Sequence, residues 1–471
     1  MAKTTNTRVA PDSGQTAAQP WYSDLTPYHW FVFTVASLAW LFDCLDQQLF
    51  ILARNNALTS LLTTDGQTPA PEIIKLYGGY ATSIFVAGWA LGGLIFGSLG
   101  DRFGRAKMLT LTVLIYSVCT GLSAFSTGWM DFAAYRFLTG LGVGGVFGLA
   151  VALVADTLPD RSRAGALGLL QALSAVGNVI AGVTIMTLGQ LEQTKTIAAG
   201  SGWKYAFLVG AIPAFLCVFI QVRLKEPEKW VRAREAGKVT GVKFGSYTAL
   251  LGDPRWRGRA IAGMILCVAG VIGLWGIGFF SPELVGDVMQ RSLTAEGVPA
   301  DQIAGRKQYW IGINSIVQNI GAFIGMLLFT RLAQQLGRKR AFAIGYVAAF
   351  IVTVAYFQYF NGRGDIWMSA VMGGCQLALF AGFAIYLPEL FPTSLRSTGT
   401  SFCYNVGRFL AASGPLVMGT LQAALIPVGA NPEAKLAAFR NACSYMSAIF
   451  LLGLVVLAFL PETKGRPLPE D

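Results

Sequence analysis

Trp30 to Ala53 reads WFVFTVASLAWLFDCLDQQLFILA, and its polar centre is Asp43, Asp46, Gln47 and Gln48. A helix needs roughly 20 apolar residues to cross a bilayer, and this run is long enough. Two carboxylates at that depth cost at least ~2.5 kcal/mol each, so they are tolerated where they face a wet cavity or a cationic partner. Asp43 and Asp46 stand at i, i+3 and share one helix face, which Gln47 extends. The competing reading is a helix that does not span, with solvated aspartates. An intramembrane acid otherwise points to function.

The whole chain supports the spanning reading. Of its 471 residues, 54% are hydrophobic and only 13% charged, against roughly 25% charged in soluble domains. The mean hydropathy is +0.53, as expected of a polytopic α-helical membrane protein. A net charge of +11 is not a nucleic-acid signal here, because Lys and Arg sit in loops between apolar runs. Seven cysteines are scattered through apolar segments with no C-x-x-C pair, which marks packing residues and not a metal or disulfide framework. His29 opens the first run as an interface residue. Residues 1–20 lack an apolar signal core, so no cleaved signal peptide is expected.

Twelve runs of spanning length follow, near 29–53, 77–99, 106–126, 131–156, 164–189, 203–223, 258–281, 308–332, 339–360, 365–390, 397–426 and 437–460. They predict an all-α membrane protein. Its expected order is a tail (1–27), a six-helix bundle (28–223), a polar linker (224–257), a second six-helix bundle (258–460) and a tail (461–471). About two-thirds of the 36 Lys and Arg fall in the loops that share a side with both termini, which the positive-inside rule assigns to the cytoplasm. The halves repeat: Asp156-x-x-Pro159-x-x-x-Arg163 follows the fourth run and Glu389-x-x-Pro392-x-x-x-Arg396 follows the tenth. GSLGDRFGRAK (Gly97–Lys107) follows the second, and the weaker LGRKR (Leu336–Arg340) follows the eighth. Parallel six-helix repeats build one large class of transporters.

GSLGDRFGRAK resembles the signature between the second and third helices of the major facilitator superfamily, and Arg136-x-x-x-Gly140 resembles its fourth-helix motif. PELFPTSLR (Pro388–Arg396) and LPETKGRPLPE (Leu460–Glu470) resemble the sugar-porter and organic-ion branch, the latter especially organic cation and anion transporters. Asp43-x-x-Asp46 is similar to the D-G-[FY]-D of bacterial aromatic-acid and sialic-acid proton symporters, with Cys44 and Leu45 replacing the glycine and the aromatic. The resemblance implies a twelve-helix major facilitator fold of two six-helix bundles, working by alternating access.

Helix rise places Asp46 ~10 Å and Arg136 ~8 Å below the same face, which predicts an Asp46–Arg136 pair. Protonating Asp46 would release Arg136 and shift the balance between outward and inward states; a static buried ion pair is the alternative. Sugar porters similar to this chain use a corresponding pair for proton coupling. Asp43, one turn deeper, is a second proton site or a substrate contact. Ser401, Asn405 and Arg408 form one polar stripe, with Arg408 ~16 Å deep. Its spacing from Arg396 resembles the helix-eleven arginine of organic anion transporters. A buried guanidinium suits a carboxylate, and pairing with Asp43 is the alternative. Gln171, Asn178, Trp275, Asn314, Gln318, Gln376 and Tyr386 are further substrate-binding candidates, or helix-to-helix hydrogen bonders. Sugar porters place a substrate-binding glutamine where Gln171 stands. Gly97, Asp101, Arg102, Arg105, Asp156, Arg163, Glu389 and Arg396 are expected to form a cytoplasmic gate, with Asp101 pairing with Arg163 or Arg105. Gly140–Gly145 lies in an apolar helix after no strand, so it is a packing stripe and not a dinucleotide loop.

These residues point to a monomeric, multi-pass plasma-membrane (inner-membrane) symporter of a small organic anion. Protons are its coupling ion, and no cofactor, metal or nucleic acid is expected. A sugar or polyol porter and an organic cation or drug transporter are the rivals. No nucleophile–base pair or phosphate loop in the right context suggests an enzyme.

Overall fold

The computed structural model describes residues 20–64, 67–198, 200–213, 223–411, 414–427, 429 and 431–470. Residues 1–19 of the expected tail lie outside this set. Among the described residues every regular element is a helix, apart from one isolated bridge between Thr64 and Gln67. The first set is α1 (Pro27–Leu62), α2 (Pro71–Phe103), α3 (Arg105–Ser123), α4 (Trp129–Thr157), α5 (Asp160–Gln193) and α6 (Gly202–Gly210). Two short helices follow, α7 (Glu228–Thr240) and α8 (Tyr247–Gly252). The second set opens with α9 (Pro254–Val271), which runs through a π turn (Ile272–Ile277) and a 3-10 turn (Gly278–Phe280) into α10 (Ser281–Ala295). Then come α11 (Ala300–Leu336), α12 (Arg338–Tyr359), α13 (Trp367–Tyr386), α14 (Arg396–Ala411), α15 (Gly414–Leu425), α16 (Pro432–Met446) and α17 (Ile449–Val456). Ten helical passages among the described residues are long and apolar enough to cross a membrane. The expected sixth passage includes residues 214–222 and the eleventh includes 412–413, which lie outside the described residues.

The repeat seen in the sequence is a repeat in packing. In the first set α4 lies against α2 and α3, and α1 against α5; in the second, α13 lies against α11 and α12, and α9 against α14. The sets meet where α14 runs along α2 and α4, and where α11 and α13 run along α5. The Gly140 stripe is a packing surface, since a side chain at Gly140 or Gly144 would strike the α2 backbone at Phe85 or Trp89. His29 acts locally: its backbone N–H donates to Thr26 Oγ1 (3.2 Å) and its ring accepts from the Thr26 N–H (3.3 Å), a reciprocal cap on α1 behind Pro27.

The polar linker is more ordered than its composition suggests. It lies across the end of the bundle that carries the 97–107 turn, here called the motif face. Trp230 Nε1 donates to Asp101 O (2.9 Å) and Tyr247 Oη to Leu94 O (2.6 Å). Ser98 Oγ donates to Gly245 O (2.5 Å), and Arg102 Nε to Phe244 O (3.3 Å). Arg102 therefore holds the linker and does not reach the opposite half.

Candidate functional site

Each half builds its charged turn around one glycine. Gly104 (φ +120°) and Gly337 (φ +97°) precede α3 and α12, where other residues would be strained. A Cβ at either position would also run into the carboxylate of Glu226 or Glu462. Those carboxylates cap the helices, whose first N–H groups lack partners within the helix. Glu226 accepts from the N–H of Arg105 (2.7 Å), Ala106 (3.2 Å) and Lys107 (3.1 Å). Glu462 accepts from Arg338 (2.9 Å) and Lys339 (3.0 Å), and from Thr463 and Lys464 in its own turn. Partial burial pushes the Glu462 pKa up, but these backbone donors outweigh it and hold the carboxyl below the usual glutamate range. A depressed pKa means the cap stabilises at neutral pH and is lost as pH falls through that lowered value. Glu462→Ala and Glu226→Ala should each cost ~0.5–2 kcal/mol, the range for a lost N-cap. Thermal unfolding checks this, with exposed Glu228→Ala as a near-neutral control.

Above the caps, charges cross between the halves. Asp101 accepts from Arg105 Nη2 (3.1 Å) in its own half. It also accepts from Ser397 N (3.2 Å), Thr398 N (2.8 Å) and Thr398 Oγ1 (2.8 Å), so it caps α14 from the opposite half. Asp156 forms ion pairs with both Arg105 and Arg396, and all three side chains are fully excluded from solvent. At Gly97 a Cβ would come 2.5 Å from Ser401 Cβ, so α2 and α14 touch there. These contacts join the two halves at the motif face.

The expected gate residues divide differently from the repeat. Asp101 takes Arg105, whereas Arg163 pairs with Asp160 on the first turn of α5. Glu389 pairs with Arg338 (2.8 Å) and accepts from Thr463 (2.5 Å). Asp156 and Glu389 are thus positional counterparts with different duties: one ties the halves together, the other ties the second half to the segment after its last helix.

Deeper in, the halves meet through aromatic rings and one guanidinium. Arg408 is buried, 3.6 Å from the Trp89 ring centre and 4.3 Å from that of Tyr404. Its Nη1 donates to Asn405 Oδ1 (3.2 Å), and its Nε has no partner. Tyr404 stacks on Phe147 (3.8 Å between centroids), Phe147 meets Trp40 (5.1 Å), and Trp89 meets Trp275 edge-on (6.1 Å). The π turn places Trp275 there; such irregular turns cluster at functional sites. Asp43 is fully buried; Oδ2 accepts from Gln47 (3.1 Å) and Oδ1 has no partner. It feels the charge of Arg408 across the halves without an ion pair among the described residues. Gln171 Oε1 and Ser401 Oγ are likewise buried and unpartnered. Asn178 donates to Asn319 Oδ1 (3.0 Å), joining α5 to α11.

Asp46 and Arg136 do not form the direct pair predicted from their depths. Each instead bonds a hydroxyl of α3. Thr120 donates to Asp46 Oδ1 (2.7 Å), and Arg136 donates to Ser123 Oγ (2.7 and 3.1 Å) and to Thr139 (3.1 Å). Arg136 also lies over the Phe207 ring at 4.7 Å. The two charges still sense each other, and Asp46 Oδ2 and Arg136 Nη1 are both unpartnered.

Two other candidates, Asn314 and Tyr386, are corrected, and Gln376 and Gln318 are placed within the second bundle. Asn314 is consumed by Ser281 (3.0 Å), Tyr356 (3.2 Å) and Ser369, a closed cluster inside the second bundle. Gln376 donates to Thr353 (2.9 Å) within the same bundle, while its Oε1 is buried and unpartnered. Gln318 packs against Gly373. Tyr386 lies at the motif face and donates to Pro461 O (2.5 Å). Trp89, Tyr404, Thr120, Ser123 and Glu226 contact the candidate residues and were missed in the sequence reading. Only Glu226 left a signal, as an acid shortly after the sixth run, matching Glu462 after the twelfth.

Two pseudo-repeated helical bundles, closed at one face by buried charge and lined at their junction by a guanidinium, define a multi-pass membrane transporter. Residues 49–357 match the model of the Major Facilitator Superfamily, and residues 300–470 that of the sugar (and other) transporters. The chain belongs to the Major Facilitator Superfamily. It is 28% identical over 447 residues to a probable 4-methylmuconolactone transporter of Cupriavidus pinatubonensis, covering 94% of this chain and 93% of the other. It is 27% identical over 420 residues to the niacin transporter NiaP of Acinetobacter baylyi, covering 83% and 87%. A solved structure of the proton:xylose symporter XylE bound to 6-bromo-6-deoxy-D-glucose superposes with a TM-score of 0.70 at 18% identity, covering 94% and 98%. At that identity the likeness is one of fold.

Proposed function

We propose that this protein imports a small carboxylate together with protons. It works as a monomer in the plasma membrane, with both termini cytoplasmic by the positive-inside rule and no bound cofactor. The observation that carries this reading is Arg408: a buried guanidinium between the halves, with an unpartnered Nε and no acid within ion-pair distance among the described residues. Such a group calls for an anion, and its fork matches a carboxylate. Trp89 and Tyr404 beside it suit a flat or unsaturated acid. Relatives named for niacin, a pyridine carboxylate, and for 4-methylmuconolactone support that choice.

Asp46, with Asp43 as a second candidate, takes the proton. In this reading Thr120 and Ser123 relay the protonation of Asp46 to Arg136 by rearranging their hydrogen bonds. An inward acid gradient across proteoliposomes should drive accumulation of a benzoate-like acid. Asp46→Asn should abolish accumulation, by tenfold or more, while leaving substrate exchange intact. Wild-type flux that ignores an imposed gradient rejects proton coupling. A sugar or polyol porter is the second reading, favoured by the unpartnered Gln171; competition by neutral polyols that matches competition by acids would select it. An organic cation or drug carrier is disfavoured, because Arg408 would repel its cargo.

A further inference from the structure

A cavity of about 680 Å³ opens on the motif face, away from Arg408 and Asp46. One wall is the start of α5, with Arg161 and Arg163. The other is formed by Arg338, Lys464 and Arg466 of the second half. Five cationic side chains thus face two acids, Asp160 and Glu389. Both acids are already engaged: Asp160 holds Arg163 and lies 3.6 Å from Lys229, and Glu389 holds Arg338, while Arg161 pairs with Asp24 (3.5 Å) beyond the cleft lining. Lys464 donates to the Gln335 carbonyl (2.7 Å) and, like Arg466, has no acid within ion-pair distance among the described residues. Arg163 is 3% exposed, and its Nε is buried without a partner. The cleft therefore holds an uncompensated positive charge and one buried, unused donor.

Its rim is aromatic. Trp21 lines the cleft and packs on Tyr22 (5.7 Å), Trp30 and Phe33 (6.3 Å each), with Tyr22 and Trp30 largely exposed. Aromatic residues beside basic ones mark the level of lipid headgroups, and basic pockets between spanning helices suit anionic headgroups.

We infer that this cleft binds the phosphate of an anionic phospholipid headgroup, bridging the two halves and favouring the state in which the motif face is closed. The ligand touches Arg161 and Arg163 on one wall and Lys464 and Arg466 on the other, so it binds best while the walls are together. Thermal unfolding of the full chain tests this in nanodiscs of phosphatidylcholine alone or with added phosphatidylglycerol, and in detergent with inorganic phosphate. Phosphatidylglycerol should raise Tm. The Lys464→Gln/Arg466→Gln variant should lose at least half of that rise, and the charge-preserving Lys464→Arg/Arg466→Lys variant should keep it. Arg161→Gln, on the opposite wall, gives the same reading should the first variant fail to fold. A matching rise with inorganic phosphate, lost in the same variants, assigns the site to a soluble phosphate instead of a lipid. No rise with either ligand overturns the site, as does a rise that the neutral variants retain or the charge-preserving variant loses.

Discussion

Replacing Asp156 with asparagine is expected to open the motif face. The carboxylate is buried and serves two guanidinium groups, Arg105 of its own half and Arg396 of the other. Removing one member of a buried charge cluster costs ~3–5 kcal/mol, because the remaining charges stay desolvated and uncompensated. Here Arg105 keeps Asp101, but both guanidinium groups lose the carboxylate that joins them across the halves. The cost falls on the closed state, since separating the halves lets Arg105 and Arg396 hydrate. At ~1.4 kcal/mol per factor of ten, the closed-to-open ratio should fall by roughly a hundredfold or more. Spin labels at the exposed ends of α2 and α11, Phe103 and Leu336, report it directly. Asp156→Asn should move their separation to a longer population, and uptake should fall at least tenfold because the cycle can no longer close that face. An unchanged distance distribution in a folded variant would show that Asp156 is not the latch. Asp101→Asn should act in the same direction but less strongly. The amide still offers one acceptor to the Ser397 and Thr398 donors, and Arg105 keeps Asp156.

The charged contacts of the motif face were partly legible in the sequence. Glycine spacing, one acid and clustered arginines in GSLGDRFGRAK mark a tight, charged turn between two spanning helices, and the acid–proline–arginine repeat places two more charges at equivalent ends. Linear spacing could not show that Asp156 would choose Arg396 from the other half over Arg163, seven residues away. That choice depends on α14 lying against α2 and α4. Depth estimates from helix rise placed Asp46 and Arg136 at the same level. They carry no information about α3, whose Thr120 bonds Asp46 and whose Ser123 bonds Arg136. Asn314 shows the reverse error. A polar residue in an apolar run is equally consistent with lining a pathway or closing a buried hydrogen-bond cluster, and only the neighbours decide. The aromatic setting of Arg408 was invisible for a similar reason: Trp89 and Tyr404 come from opposite halves, and in a chain with 12% aromatic residues neither stands out.

Arg408→Ala should raise the apparent KM for a carboxylate substrate by about 10- to 150-fold, the equivalent of losing a charged hydrogen bond worth ~1.5–3 kcal/mol. Uptake or binding of a neutral amide analogue should change only a few-fold. Arg408→Lys should fall between: the charge survives, but the planar two-pronged geometry and the stacking against Trp89 and Tyr404 do not. The competing role for Arg408 is to balance Asp43, whose charge it senses across the halves. The two roles separate in the double variant Arg408→Ala/Asp43→Asn. If Arg408 serves only to offset Asp43, removing both charges restores folding and transport towards wild type, and acid and amide respond alike throughout. If Arg408 holds the substrate, the double variant stays impaired for the acid, because its carboxylate still enters a dry junction with no cation to receive it. Recovery of acid transport in the double variant would therefore remove Arg408 from the binding site while leaving the fold and the motif-face latch untouched.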